Sequence, residues 1–189
     1  MEQFTNMRPT ENTEPKELYT GKHRKIVDID GWEVTHGVAD ASIAIVYLED
    51  TMEVVMRREY IPPYNFRDGS KQHLVCVAGG IEEGESPEEA MFRELFEETG
   101  IVTKTSYDRF TKLRTLYSNK ASTIQCHIYF VPLRNYEFDE VEATGDGSKY
   151  EAQSDSVKIH ISHLNTIQPS DVLSTLCIEL LKNELSLKA

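Results

Sequence analysis

Apolar and polar positions along the chain fall into short strand-like runs broken by two helix-like ones. From Gly21 to His36, Ile26, Val27, Ile29, Trp32 and Val34 flank Asp30-Gly31, a dipeptide suited to a two-residue hairpin turn, which predicts a β-hairpin. Ala41–Leu48 (ASIAIVYL) and Met52–Arg58 (MEVVMRR) are β-rich runs joined by Glu49-Asp50-Thr51, and His73–Ala78 (HLVCVA) is a third; together they predict the centre of a sheet. Thr105–Tyr117 and Ala121–Leu133 show partly alternating patterns around Ser118-Asn119-Lys120, and Val157–Ile161 reads as a last strand. The final helical period begins at a Ser170 or Asp171 cap and runs to about Leu185; its Leu173, Leu176, Cys177, Leu180 and Leu181 form an apolar stripe that belongs in a core.

The other helix has the clearest ends. Ser86 is placed as N-cap, Pro87 occupies the first helical position, and Glu89 completes an S-x-x-E capping box. Gly100 supplies the residue without a Cβ that closes many helices in a left-handed conformation. Between these ends Glu94, Glu97 and Glu98 stand at i, i+3 and i+4, on one face. Arg93 is the one basic residue from Ile81 to Thr99, against eight glutamates. Like charges at this spacing repel. A hard divalent cation such as Mg²⁺, which takes carboxylate oxygens and keeps waters and phosphate oxygens in its shell, accounts for the pattern; a solvated charged helix face is the plainer alternative.

Read in order, Gly79, Glu85, Arg93, Glu94, Leu95, Glu97, Glu98, Gly100 and Ile101 match G-x5-E-x7-R-E-U-x-E-E-x-G-U at every specified position. This resembles the signature of the Nudix hydrolases. The resemblance implies an α/β fold, an α/β/α sandwich around a mixed β-sheet, here with an N-terminal β-hairpin. It implies Mg²⁺-dependent hydrolysis of a nucleoside diphosphate linked to a further group, with Mn²⁺ as a possible substitute. By the same resemblance the metal ligands are Glu94, Glu97 and Glu98 with a main-chain carbonyl at Ala78 or Gly79, the Gly79-Gly80 backbone meets the substrate, and Arg93 pairs with Glu85 to hold the loop against the helix. The proton acceptor is expected among the box glutamates, Glu98 or Glu97.

A second, more local likeness is to the ADP-ribose pyrophosphatases. The run GWEV resembles a segment in which a tryptophan stacks on adenine, which nominates Trp32 for base binding; packing at a sheet edge is the alternative. Arg58-Glu59-Tyr60-Ile61-Pro62-Pro63 is similar to that subfamily's R-Q-Y-R-P-P, with Ile61 in place of the second arginine, and nominates Arg57 or Arg58 for phosphate contact. Val75-Cys76-Val77-Ala78-Gly79 replaces E-L-P-A-G and so lacks its acidic residue. Asn119 stands where a proline is usual, beside Lys120, a candidate phosphate contact. Gly145-Asp146-Gly147-Ser148 resembles G-D-G-E but lacks the glutamate, leaving Glu151 as the nearest substitute in the acidic 136–156 connection, with Asp146 and Asp155 behind it. This likeness also implies a homodimer in which the N-terminal hairpin crosses to the partner.

Composition narrows the reading. A formal charge of −12 opposes broad binding to nucleic-acid phosphates, which relies on clusters of Lys and Arg. Cys76, Cys126 and Cys177 are odd in number and lack C-x-x-C spacing, and no apolar run reaches membrane-spanning length, so a cytoplasmic protein with small-molecule nucleotide substrates and no membrane partner is expected. Residues 1–16 are polar and without period, and read as a flexible arm; residues 17–189 are expected to form one domain, with 17–40 as hairpin and dimer arm. Other Nudix substrate classes (oxidised nucleoside triphosphates, dinucleoside polyphosphates, NADH) and a non-catalytic nucleotide-sugar sensor stay open.

Overall fold

In a computed structural model, residues 14–21, 24–37, 39–70, 72–145 and 154–186 are described. Most of the expected N-terminal arm, together with Glu151 and Asp146, lies outside them. Two compact units are present, and the smaller contains the strands before Val38 and the Tyr117–Gln125 segment. Its strands β1 (Lys16–Thr20), β2 (Arg24–Ile29) and β3 (Trp32–Gly37) form an antiparallel sheet in the order β1-β2-β3. Asp30 and Gly31 both take positive φ, 52° and 83°, as a tight hairpin turn requires, and the Gly31 N–H donates to Asp28 Oδ1 at 2.9 Å. The expected hairpin therefore exists with one more strand: β1, beginning at Lys16, is exposed throughout and carries no burial alternation to announce it.

The larger unit is a layered α/β structure. Strands β4 (Ala41–Leu48) and β5 (Glu53–Glu59) are followed by helix α1 (Pro62–Asp68), then β6 (His73–Val75), β7 (Val77–Gly80) and helix α2 (Pro87–Thr99). After α2 come β8 (Ile101–Thr103), β9 (Thr111–Tyr117), β10 (Gln125–Leu133), β11 (Phe138–Glu140), β12 (Asp155–His160) and helix α3 (Val172–Ser186). The main sheet runs β12-β5-β4-β10-β9, with β6 paired to β5 and β7 to β4. It is mixed: β10 lies parallel to β4, while β5, β6, β7 and β12 pair antiparallel.

Both faces of this sheet are covered, which is why its central strands read as continuous apolar runs. Along β4, Ile43, Ile45 and Tyr47 join Cys177, Ile178 and Leu181 of α3 on one side, while Ala44, Val46 and Leu48 join Met91 and Leu95 of α2 on the other. β10 divides the same way, Ile128 and Phe130 against Tyr129, Val131 and Leu133. The stripe expected on α3 packs as core, and all three cysteines are buried and free.

Several boundaries differ from the sequence reading. The 73–78 run breaks at Cys76, whose N–H leaves the ladder and donates to Ser174 Oγ at 2.9 Å. The strand expected from Thr105 starts at Thr111, because Tyr107–Arg109 forms a 3₁₀ turn. Within the 136–156 connection, β11 pairs antiparallel with β8.

Candidate active site

Helix α2 and the strand before it build the site. Ser86 Oγ accepts the Glu89 N–H at 3.2 Å, Glu89 Oε2 accepts the Ser86 N–H at 2.8 Å, and Gly100 closes the helix at φ 72°. This fixes Glu94, Glu97 and Glu98 on the face toward β7. A Cβ on Gly79 would fall on the Glu94 carboxyl, so that carboxyl lies against the strand only because residue 79 is glycine.

Arg93 is the hub of the carboxylates. Its Nε and Nη2 donate to the two oxygens of Glu85 at 3.0 Å each, a bidentate pair that ties the loop to the helix. Nη1 donates to Glu94 Oε1 at 2.7 Å and Glu97 Oε2 at 3.0 Å, and Nη2 reaches the Gly80 carbonyl at 2.8 Å. The Arg93 bond, with its charge, holds the Glu85 carboxyl below the usual range. Glu94 moves the other way: burial raises it, against the pull of Arg93.

Glu98 faces inward. Its Oε2 accepts the Ala78 N–H at 3.2 Å, and burial, with the Glu59 charge second, pushes its carboxyl well above the ordinary range. The helix end beneath it is tied at several carbonyls. Thr99 Oγ1 donates to the Leu95 carbonyl at 2.5 Å, the Gly100 N–H to Phe96 at 2.8 Å, and the Gly145 N–H to Glu97 at 2.9 Å. The Glu98 carbonyl accepts from both Arg57 Nη1 and Ser156 Oγ, the latter at 3.1 Å.

The donor set suits a hard divalent cation: three carboxylates on one helix, with no sulfur or imidazole among them. Glu94 and Glu97 already converge on one cation, the Arg93 guanidinium, which marks the space between them as one that positive charge stabilises. Among the described residues no three acidic, His or Cys side chains have closed around a single point.

Residues 39–158 match the family model of the NUDIX domain. The chain belongs to the Nudix family. Across 95% of this chain and 98% of its own length, a crystal structure of an ADP compounds hydrolase superposes with a TM-score of 0.69 at 16% identity, a likeness of fold. RNA pyrophosphohydrolase from Actinobacillus succinogenes is 55% identical over 42 residues, covering 22% of this chain and 18% of that protein. The Vibrio cholerae RNA pyrophosphohydrolase is 69% identical over 26 residues, 14% of this chain and 15% of that protein. The chain thus spans less than a fifth of the length of either relative.

Within this Nudix chain the remaining nominated residues are placed unevenly. Arg57 is 5% exposed and bonded to main chain, so it is not presented to a substrate phosphate. Arg58 is exposed beside Asp155, with Nη1 3.4 Å from Oδ2. In the smaller unit Trp32 is 61% exposed at the start of β3, and so does not serve as core packing. Lys120 lines a hollow of about 500 Å³ with Tyr117, Asn119 and Ser122. Sequence reasoning missed Gly145, Ser156 and the burial of Arg57; the excess of negative charge at the end of α2, with no basic residue in its last turn, was the available signal.

Proposed function

We propose that this Nudix protein is a Mg²⁺-dependent pyrophosphatase that hydrolyses the diphosphate linkage of a nucleoside diphosphate derivative. ADP-ribose or a related nucleotide sugar is the leading substrate, giving a nucleoside monophosphate and a sugar phosphate. The observation that carries this reading is the packing of Glu94 and Glu98 against the Ala78-Gly79 backbone, with Glu97 joined to them through Arg93. The full-length likeness to a protein named an ADP compounds hydrolase supports the choice of substrate.

In this reading Glu94, Glu97, Glu98 and the carbonyl of Ala78 or Gly79 would hold the metal, which when bound would neutralise charge developing on the phosphate and acidify the attacking water. Glu85 and Arg93 keep the loop against the helix. Water attacks one phosphorus, the bond from that phosphorus to the bridging oxygen breaks, and the water's proton passes to a box carboxylate, Glu98 or Glu97. Glu151 is the loop's reserve for that role. Trp32 stacks on the base, Arg58 and Lys120 meet phosphate, and the protein works as a cytoplasmic homodimer.

The short matches to RNA pyrophosphohydrolases favour a second reading, pyrophosphohydrolysis of an RNA substrate. The net charge of −12 weighs against it. Formation of the phosphomonoester and pyrophosphate products, resolved by chromatography after incubation with Mg²⁺ and with EDTA, on ADP-ribose, ADP-glucose, NADH, diadenosine polyphosphates, 8-oxo-dGTP and an RNA oligonucleotide, tests both. Strongest metal-dependent turnover of ADP-ribose is expected; turnover confined to RNA establishes the second reading, and tight binding without turnover of any compound indicates a sensor.

A further inference from the structure

Helix α2 carries its charge at the unfavourable end. The C-terminal turn of a helix presents unpaired carbonyls and the negative pole of the macrodipole, which cations stabilise. Here that turn contains Glu97 and Glu98 and no basic residue. The missing cation comes from another element. Arg57, on β5, is 5% exposed; its Nη1 donates to the Glu98 carbonyl, and its Nε lies 3.4 Å from Glu59 Oε1. A buried guanidinium stays charged and is tolerated only when paired.

The register shows why this contact is held firmly. Arg57 is paired with Val75 on β6 and with Ser156 on β12, so β5 is fixed from both sides at this position. The cross-strand partners Arg57 and Ser156 converge on one acceptor, the Glu98 carbonyl. Clamping that carbonyl fixes the Cα–Cβ direction of Glu98, and the far end of the same side chain is held by the Ala78 N–H. The residue is thereby fixed at its root and at its tip.

We infer that Arg57 is a positioning residue that sets Glu98 by clamping the last turn of α2, and that it does not contact substrate. Its catalytic consequence rests on the pyrophosphatase reading; its structural consequence does not. The test uses the full chain with Arg57→Met and Arg57→Lys, and three readouts: hydrogen exchange of the Thr99–Ile101 amides without metal, Mn²⁺ affinity by electron paramagnetic resonance without substrate, and kcat and KM on the best substrate found. For Arg57→Met, exchange should quicken in the last turn of α2 but not in its first. Mn²⁺ affinity and kcat should each fall about 10–100-fold, the usual cost of losing a partner that orients a metal ligand, with KM changed by less than about 2-fold. Arg57→Lys should recover part of each. Should Arg57→Met fail to fold, Ser156→Ala, which removes the other donor to the same carbonyl, should move the readouts in the same direction by less. A raised KM with unchanged kcat and Mn²⁺ affinity would make Arg57 a substrate contact and overturn the inference, as would unchanged exchange at Thr99–Ile101. A wild-type protein that neither turns over substrate nor binds Mn²⁺ would sink the pyrophosphatase reading, leaving the exchange measurement to decide the role of Arg57.

Discussion

The carboxyl of Glu94 occupies the space into which a Cβ at Gly79 would project. Gly79→Ala is therefore expected to displace a carboxylate of the site without touching its chemistry. A shift of about 1 Å in a reacting group costs about 10²-fold in rate, and a loss of that order in metal-dependent turnover is expected. Gly80→Ala, where a Cβ meets nothing within 4 Å, should leave the melting temperature within about 2 °C by the same steric argument, whereas Gly79→Ala should lower it measurably.

Glu98 gives a pH dependence with a definite sign. Its carboxyl is raised well above the ordinary range by burial and by Glu59, so the fold favours its protonated form. In metal-free protein that contribution is full below the unfolded value and is lost as pH rises through the folded one. Glu98→Gln should remove this loss. In EDTA at neutral pH it should melt above wild type by about 2–4 °C for each kcal/mol relieved, and the two should converge in acid. Mg²⁺ should raise the melting temperature of wild type and not of the variant. Thermal scans from pH 4 to 8, with and without metal, check each statement.

Arg93 and Glu85 form a bidentate pair with little exposure, side chains 24% and 15% open to solvent. A double-mutant cycle with Arg93→Lys and Glu85→Gln should give a coupling of about 1–2 kcal/mol in chemical denaturation. Because Arg93 depresses the Glu85 carboxyl, the stabilisation is present at neutral pH and lost as pH falls through the lowered value. Coupling that persists unchanged in strong acid would contradict the assignment.

Trp32 is mostly exposed and opens β3 opposite Ile29. Trp32→Ala should hardly alter the melting temperature, and if the ring stacks on a base it should raise KM by about 10-fold, the worth of roughly 1–3 kcal/mol of stacking. Steady-state kinetics beside a thermal scan distinguishes this from a loss of folded protein.

Much of the larger unit was legible because its signals are local. The ends of α2 follow from Ser86, Pro87, Glu89 and Gly100, and the buried strands from unbroken apolar runs. What escaped depends on partners far along the chain. Helix α1 was not expected from the Pro62-Pro63 run, although a proline in the first turn and Gly69 at φ 74° are helix-compatible ends. The break at Cys76 depends on Ser174 and could not be read from HLVCVA. Arg57, read as a strand-end arginine open to phosphate, is buried because β12 and the end of α2 close over it, and neither is near in sequence. The carboxylate face was visible in the spacing of Glu94, Glu97 and Glu98, but the hydrogen bonds that share Arg93 among them were not.

The tie at the Glu98 carbonyl also bears on the order of assembly during synthesis. Its donors lie 41 residues before it and 58 after it. A nascent chain that has emerged only through Gly100 has every residue of helix α2 and both of its caps, yet lacks Gly145 and Ser156. Contacts of such separation form late, after the loop-closure cost has been met. A carboxylate site whose helix end waits for the penultimate segment of the fold cannot be finished before the sheet that receives β12. A ribosome-bound fragment short of residue 156 should hold the glutamates in the right order along a helix, but with the last turn still fraying.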